Sequence, residues 1–128
     1  MDTRNDEQLF RERYGDLGSR IARQVELDAF GHDVGLNGYT TLSQADALCR
    51  HLRVGPGRHL LDLGAGRGWP GMHLAARLGC RLVSVDVPWE ALAAAKGRGA
   101  DWAVGGDGRA LPLRTGSCDA VVHADVLC

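Results

Sequence analysis

The sequence lacks any apolar run that could cross a bilayer, which takes about 20 consecutive apolar residues. Its first residues, Met1 to Glu7, are polar and acidic rather than apolar as in a secretory signal, so we expect a cytoplasmic protein without a membrane partner. Neither charge is in excess, with 15 basic against 16 acidic residues, which argues against a nucleic-acid-binding surface. The four cysteines are widely separated instead of paired, so no metal site is predicted.

What is present suits one compact domain, because 128 residues of which 45% are hydrophobic can build a single core. Residues 1–53 predict a helical N-terminal arm, over about residues 5–30, and a lead-in helix that Thr41 or Ser43 caps and that runs to about Leu52. Glycines and an asparagine predict a loop between the two, over residues 30–38.

Residues 54–128 alternate between short apolar runs and helical patterns. The predicted strands are His59–Leu63, Arg81–Val87, Trp102–Val104 and Asp119–Leu127, and the predicted helices run from Pro70 to Leu78 and from Glu90 to Lys96. Strands and helices that alternate at this spacing indicate a parallel sheet with right-handed crossovers. We therefore predict an α/β, Rossmann-like fold, with a mostly parallel sheet and helices on both faces.

The glycine-rich turn after the first predicted strand is the strongest local signal. Glycines at positions 64, 66 and 68 allow a tight turn and a close approach of a ligand to the backbone. The helix that starts near Trp69 points its free N–H groups and the positive end of its dipole at this turn. The pattern predicts a ligand site and not merely a connection.

Two kinds of ligand fit this spacing. The series Gly66-x-Gly68-x-x-Gly71 matches the dinucleotide fingerprint, and an acid, Asp86, follows at about the expected distance. In either interpretation Asp86 ends the second strand and accepts hydrogen bonds from two ribose hydroxyls. The rest of the pattern has to decide between the two.

The run from Leu60 to Gly68 closely resembles the first motif of class I S-adenosylmethionine-dependent methyltransferases, in which an acid, here Asp62, precedes the glycine-rich turn. The resemblance continues through three further blocks in the order typical of the family: Val83–Asp86, Gly106–Leu113 and Ser117–Val122. A dinucleotide dehydrogenase needs neither Asp62 nor the block around Asp107. We therefore expect S-adenosyl-L-methionine as the cofactor, over residues 54–128.

The resemblance implies a set of cofactor-binding residues. Asp86 would hold the ribose, Asp107 the adenine amino group, and Asp62 would lie near the methionine ammonium; the alternatives are a buried acid for Asp62 and a turn-forming residue for Asp107. The full predicted set is Asp62, Gly64, Ala65, Gly66, Gly68, Asp86, Val87, Gly106, Asp107, Gly108 and His123. Trp89 is expected either to cover an adenine face or to pack at a helix start, and Tyr39–Thr41 to close over the cofactor.

The family's domain has seven strands in the order 3-2-1-4-5-7-6, and this sequence supplies four before Cys128. We therefore expect the cofactor-binding half of a methyltransferase, from a truncated gene or an incomplete record, with strand four as an open edge. The resemblance implies methyl transfer to an acceptor, and the balanced charge favours a small molecule. The alternatives are a non-catalytic cofactor-binding protein and, less favoured, an NAD(P)-binding oxidoreductase domain; catalytic residues and oligomeric state stay open.

Overall fold

The structure, a computed structural model, describes residues 8, 20–31, 34, 35, 40–124 and 126, and four helices and four strands have both ends within these ranges. The helices are α1 (Arg20–Phe30), α2 (Leu42–His51), α3 (Gly71–Leu78) and α4 (Trp89–Gly97). The strands are β1 (His59–Leu63), β2 (Arg81–Asp86), β3 (Trp102–Gly105) and β4 (Ala120–His123). The predicted alternation of strands and helices is confirmed.

The four strands form one sheet in the order β3-β2-β1-β4, and every neighbouring pair is parallel. Leu60 on β1 lies opposite Leu82 on β2 and Ala120 on β4. This register places the carboxyl ends of all four strands along one edge of the sheet. The Rossmann-like fold class is confirmed.

The two faces of the sheet are covered differently. One face packs against the helices, in a core that joins strand residues to α2, α3 and α4: Leu60, Leu82, Val122, Leu48, Leu74 and Ala95. On the other face Leu61, Val83 and Val85 pack against Leu113 and Cys118 of the β3–β4 connection. Within the described ranges this connection contains no helix.

Local capping explains where the helices begin and end. Thr41, one of the two predicted caps, accepts a hydrogen bond from the backbone N–H of Gln44, whose side chain in turn accepts from the Thr41 backbone N–H. Gly79 ends α3 in the left-handed conformation, at φ 67°, where a glycine costs least. The predicted helix begins one residue later than expected, since Pro70 is its N-cap.

The fourth strand is shorter than the predicted Asp119–Leu127, because pairing with β1 ends at His123 and the chain bends at Ala124. Val126 then lies against Gly64, in the space a side chain at Gly64 would need. The predicted arm is helical over Arg20–Phe30; its remainder, apart from residue 8, and Tyr39 lie outside the described residues. No described helix is long and apolar enough to span a membrane.

Candidate cofactor site

The candidate site is built on the carboxyl edge of the sheet, where Leu63, Asp86 and Gly105 end β1, β2 and β3. In open α/β sheets, ligands bind in the crevice outside the carboxyl ends of the strands. The loops that follow these strands contain most of the predicted site residues, so the sheet brings together segments far apart in sequence.

The loop after β1 is folded back onto the end of β2. The backbone N–H groups of Gly64 and Ala65 both donate to the carbonyl of Val85, at 2.8 and 3.1 Å. Gly64, Gly66 and Gly68 all have positive φ, at 72°, 52° and 118°, which other residues adopt only with strain. The predicted glycine positions are therefore required by the backbone itself.

Asp86 joins three segments at this edge. Its Oδ2 accepts a 2.7 Å hydrogen bond from the Gly66 N–H and its Oδ1 one of 2.7 Å from the Val87 N–H, while its carbonyl accepts from the Gly106 N–H at 3.0 Å. Burial raises the pKa of the carboxyl, and the Gly66 and Val87 amides oppose that rise. A carboxylate has about four acceptor positions, so two more donors can still bind there.

Asp62 lies beneath the loop, 1% exposed, one residue before the end of β1. Burial raises its pKa to about 8, the charge of Asp86 adds to the rise, and the Gly71 backbone N–H opposes it. Among the described residues no group is placed to hydrogen-bond its Oδ2, and the same holds for the buried hydroxyl of Ser84, its register partner on β2. The structure thus buries Asp62 with one oxygen unpaired among the described residues, and its contact with the methionine ammonium stays a prediction.

Gly71, the first residue of α3, packs directly on this acid. A Cβ at Gly71 would overlap the carboxylate of Asp62 and come within 2.7 Å of its Cγ. The glycine is therefore required by a contact inside the protein, although its position also fits the third glycine of a dinucleotide fingerprint.

Asp107 forms a turn closed by Arg109. Its carboxylate accepts from the Arg109 backbone N–H at 2.8 Å and from the guanidinium Nη2 at 2.6 Å. The Arg109 guanidinium holds the pKa of this exposed carboxyl down to about 2, and the carbonyl of Asp107 accepts from Ala110. These bonds match the turn-forming alternative, while the adenine contact stays a prediction.

The remaining predicted residues follow β3 and end β4. Gly106 has no room for a side chain, since a Cβ would lie 2.6 Å from Cδ of Pro112. A Cβ at Gly108 would lie 3.6 Å from the Leu63 side chain, so this loop passes the end of β1. His123 pairs with Leu63 in register. These residues do lie along the carboxyl edge; their binding roles stay predictions.

Two apolar side chains are exposed beside Asp86. Val87 is 56% exposed and Trp89, the first residue of α4, is 67% exposed. Large apolar side chains exposed next to a set of polar acceptors are typical of a ligand surface. An exposed Trp89 ring is free to cover an adenine face, as one of its two predicted roles requires; the contact itself stays a prediction.

Sequence reasoning missed an ion pair behind the glycine-rich loop. Arg67 is buried against Glu26 of α1, and Trp69 packs against Phe30, with ring centroids 5.7 Å apart. An acid in the middle of a helix belongs to no motif, so the sequence carries no signal that Glu26 would be buried.

A family model described as a methyltransferase domain matches residues 61–128. Among solved structures, a geranyl diphosphate methyltransferase in complex with GPP and sinefungin is 22% identical, with a TM-score of 0.64, and the match covers 91% of this chain and 55% of that one. The geranyl diphosphate C-methyltransferase of Streptomyces coelicolor A3(2) is 20% identical, with a TM-score of 0.63, over 91% and 54%.

A further solved structure, the complex between the Trm112 methyltransferase activator and a putative methyltransferase of Haloferax volcanii, is 21% identical over 86% of this chain and 46% of that one, with a TM-score of 0.61. The chain thus spans about half the length of these solved proteins, and at these identities the likeness shows a shared fold. Comparison with curated proteins gives no significant match. The family model, which matches more than half of the chain, confirms the resemblance to class I S-adenosylmethionine-dependent enzymes: the chain belongs to the methyltransferase domain family.

Proposed function

We propose that this chain is the cofactor-binding part of an S-adenosyl-L-methionine-dependent methyltransferase that acts on a small molecule. The observation that carries the proposal is the position of Asp86, a carboxylate fixed by two backbone amides at the carboxyl edge of the sheet, with acceptor positions left over. A ribose diol supplies two hydroxyl donors, which can fill the two acceptor positions that remain on this carboxylate.

The surroundings of Asp86 support the same ligand. Exposed Val87 and Trp89 offer an apolar surface for an adenine ring, next to the carboxylate that would hold the ribose. The glycine-rich loop lies on the other side of Asp86, where the Gly66 N–H donates to the carboxylate, while Val126 lies against Gly64 and Met72 against Gly68. An apolar surface beside a carboxylate with free acceptor positions suits a nucleoside.

The acid under the turn favours S-adenosyl-L-methionine over a dinucleotide. The dinucleotide fingerprint includes no acid before its glycines, whereas here Asp62 fills the space under the first turn of α3. The close packing of Gly71 fits both ligands, because the third glycine of that fingerprint also permits close helix–strand packing.

The chemistry asked of the protein is mainly positional. The cofactor supplies a methyl group on a sulfonium, and the chain's residues bind it, orient it and exclude water. Holding two reactants in line can lower a barrier by about 7–11 kcal/mol. The balanced net charge of −1 supports a small-molecule acceptor over a nucleic acid.

Isothermal titration tests the cofactor assignment. The chain is titrated with S-adenosyl-L-homocysteine and, separately, with NAD⁺; we expect binding of the first and none of the second. Tighter binding of NAD⁺ would overturn the proposal and restore the dinucleotide interpretation of Gly66, Gly68 and Gly71.

A labelled methyl donor tests the acceptor class. The full protein of which this chain is the proposed cofactor-binding part is incubated with labelled S-adenosyl-L-methionine and either a metabolite pool or a pool of proteins and nucleic acids. We expect label in the acid-soluble products of the first. Label only in acid-precipitable products of the second would contradict a small-molecule acceptor.

A further inference from the structure

A buried carboxylate on α1 organises the segment that follows this helix. Glu26 is 3% exposed, and its Oε2 accepts hydrogen bonds from the backbone N–H groups of Val34 and Gly35, at 3.1 and 3.0 Å. A buried charge is stable only when paired and hydrogen-bonded, so these contacts hold the 34–35 backbone close to α1.

The other oxygen of this carboxylate faces the glycine-rich loop. Oε1 of Glu26 lies 3.6 Å from Nη1 of Arg67, which is itself 5% exposed. The backbone of Gly35 also packs on Arg67, because a Cβ at Gly35 would come within 2.6 Å of the Arg67 carbonyl oxygen. Gly35 has a φ of 70°, a conformation that a side chain would strain. Side chain and backbone of Arg67 therefore both contact the N-terminal segment.

Trp69 gives a second connection between the same two regions. Its ring packs with Val34 and Ala45 in a buried cluster that Phe30 also contacts. Its Nε1 donates to the carbonyl of Thr40 at 2.8 Å. The N-terminal segment is thus attached to both residues that flank Gly68.

We propose that Glu26, which lies outside every cofactor motif, is a positioning residue that holds the glycine-rich loop through Arg67 and thereby couples docking of α1 to cofactor binding. Arg67 directly follows Gly66, whose N–H is bonded to Asp86, so a displaced Arg67 disturbs that bond. Removal of the Glu26 charge weakens the attraction that holds the buried Arg67 guanidinium against α1, which favours undocking of the two regions. The claim that Glu26 affects cofactor binding rests on the proposed function, whereas the claim that Glu26 holds the glycine-rich loop in place does not.

Hydrogen exchange on the ligand-free chain tests the effect on the loop. In Glu26→Gln we expect backbone amides of residues 64–68 to exchange about tenfold faster than in the wild type, since a loss of about 1.4 kcal/mol changes an opening equilibrium tenfold. Asp28→Asn is the matched control, because Asp28 is exposed on the same helix and its carboxylate accepts a hydrogen bond from Gln24, one turn earlier. Unchanged exchange in Glu26→Gln would overturn the proposal.

A double variant separates this coupling from general destabilisation. Arg67→Met alone should also speed exchange of the loop, whereas Glu26→Gln combined with Arg67→Met should speed it by less than the product of the two single effects. Strictly multiplicative effects would show that the two residues act independently, and the proposal would be wrong. If Glu26→Gln alone is partly unfolded, the double variant still tests the proposal. It removes both buried charges, so the loop should exchange more slowly in it than in Glu26→Gln if the two residues act as a pair.

Titration with S-adenosyl-L-homocysteine tests the coupling to the cofactor. We expect about tenfold weaker binding in Glu26→Gln and unchanged binding in Asp28→Asn. Faster exchange with unchanged affinity would refute the coupling. If the wild-type chain does not bind this ligand, the proposed function fails, and the exchange data still decide whether Glu26 holds the loop.

Discussion

The backbone N–H of Gly66 donates a 2.7 Å hydrogen bond to Oδ2 of Asp86, 20 residues further along the chain. This bond links the loop after β1 to the end of β2 without a ligand. A loop that is already ordered loses little conformational freedom when a ligand binds, so the bond contributes to affinity through preorganisation. The same carboxylate then serves both the fold and the proposed ribose contact.

Asp86→Ala should weaken binding of S-adenosyl-L-homocysteine at least about tenfold, because hydrogen bonds to a charged group contribute roughly 1.5–3 kcal/mol each. Isothermal titration measures the change. Asp119→Ala is the matched control, since Asp119 also accepts a backbone N–H, that of His59, but at the opposite edge of the sheet. Equal affinity of the wild type and a folded Asp86→Ala chain would show that the ribose is not bound by Asp86.

The site residues that sequence predicted best are those fixed by local pattern. The apolar strand before Gly64 and the apolar strand before Asp86 are both short and regular, so the ends of β1 and β2 could be placed to within about a residue. Parallel pairing then brings these ends together, since each crossover helix returns the chain in the same direction.

The parts that sequence could not predict depend on contacts between distant segments. Burial of Glu26 follows from docking of α1 on Arg67, and nothing in the local pattern around Glu26 distinguishes it from an exposed acid. The end of β4 is a similar case, since pairing with β1 stops at His123 and Val126 lies against Gly64 although the apolar pattern continues. Periodicity reports burial, but it does not report which partner buries a residue.

Gly71→Ala should destabilise the fold by about 1–3 kcal/mol, the usual cost of overpacking, because the added Cβ overlaps the carboxylate of Asp62. Urea denaturation measures this. Gly97→Ala is the control, since nothing lies within 4 Å of a Cβ there and an alanine suits the helix; it should be neutral or stabilising by up to about 1 kcal/mol. Unchanged stability of Gly71→Ala would show that Asp62 is placed differently.

Ser84→Ala should be neutral or stabilising by up to about 1 kcal/mol, since a buried hydroxyl without a partner costs about that much or more. Urea denaturation again measures the change, and Ser117→Ala, at an exposed position, should stay within about 0.5 kcal/mol of wild type. A clear loss of stability in Ser84→Ala would indicate that a bound water satisfies this hydroxyl.

Cofactor binding should shield Trp89 from an aqueous quencher, because its exposed ring lies beside the proposed adenine surface. The measurement is iodide quenching of tryptophan fluorescence in Trp102→Phe, with and without S-adenosyl-L-homocysteine. Trp102 begins β3 at the opposite edge of the sheet, so Trp89→Phe, which retains Trp102, is the control and should show no shielding. Trp69 is present in both variants, but at 4% exposure it is protected from iodide with or without the ligand. Equal shielding in the two variants would argue against an adenine contact at Trp89.

The buried acid Asp62 should make stability fall as pH rises. Its pKa is about 8 in the folded chain and about 3.9 when unfolded, so between these values unfolding releases a proton and higher pH favours unfolding, by up to about 1.4 kcal/mol per pH unit. Asp62→Asn cannot release this proton. In urea titrations, its free energy of unfolding should therefore increase relative to that of the wild type from pH 5 to pH 8. The lowered pKa values of Asp46, Asp107 and Asp119 act only at more acidic pH, whereas the raised pKa of Asp86 acts in the same direction as that of Asp62; all four groups are present in both proteins. A constant difference between the two proteins across this range would mean that Asp62 is ionised in the fold.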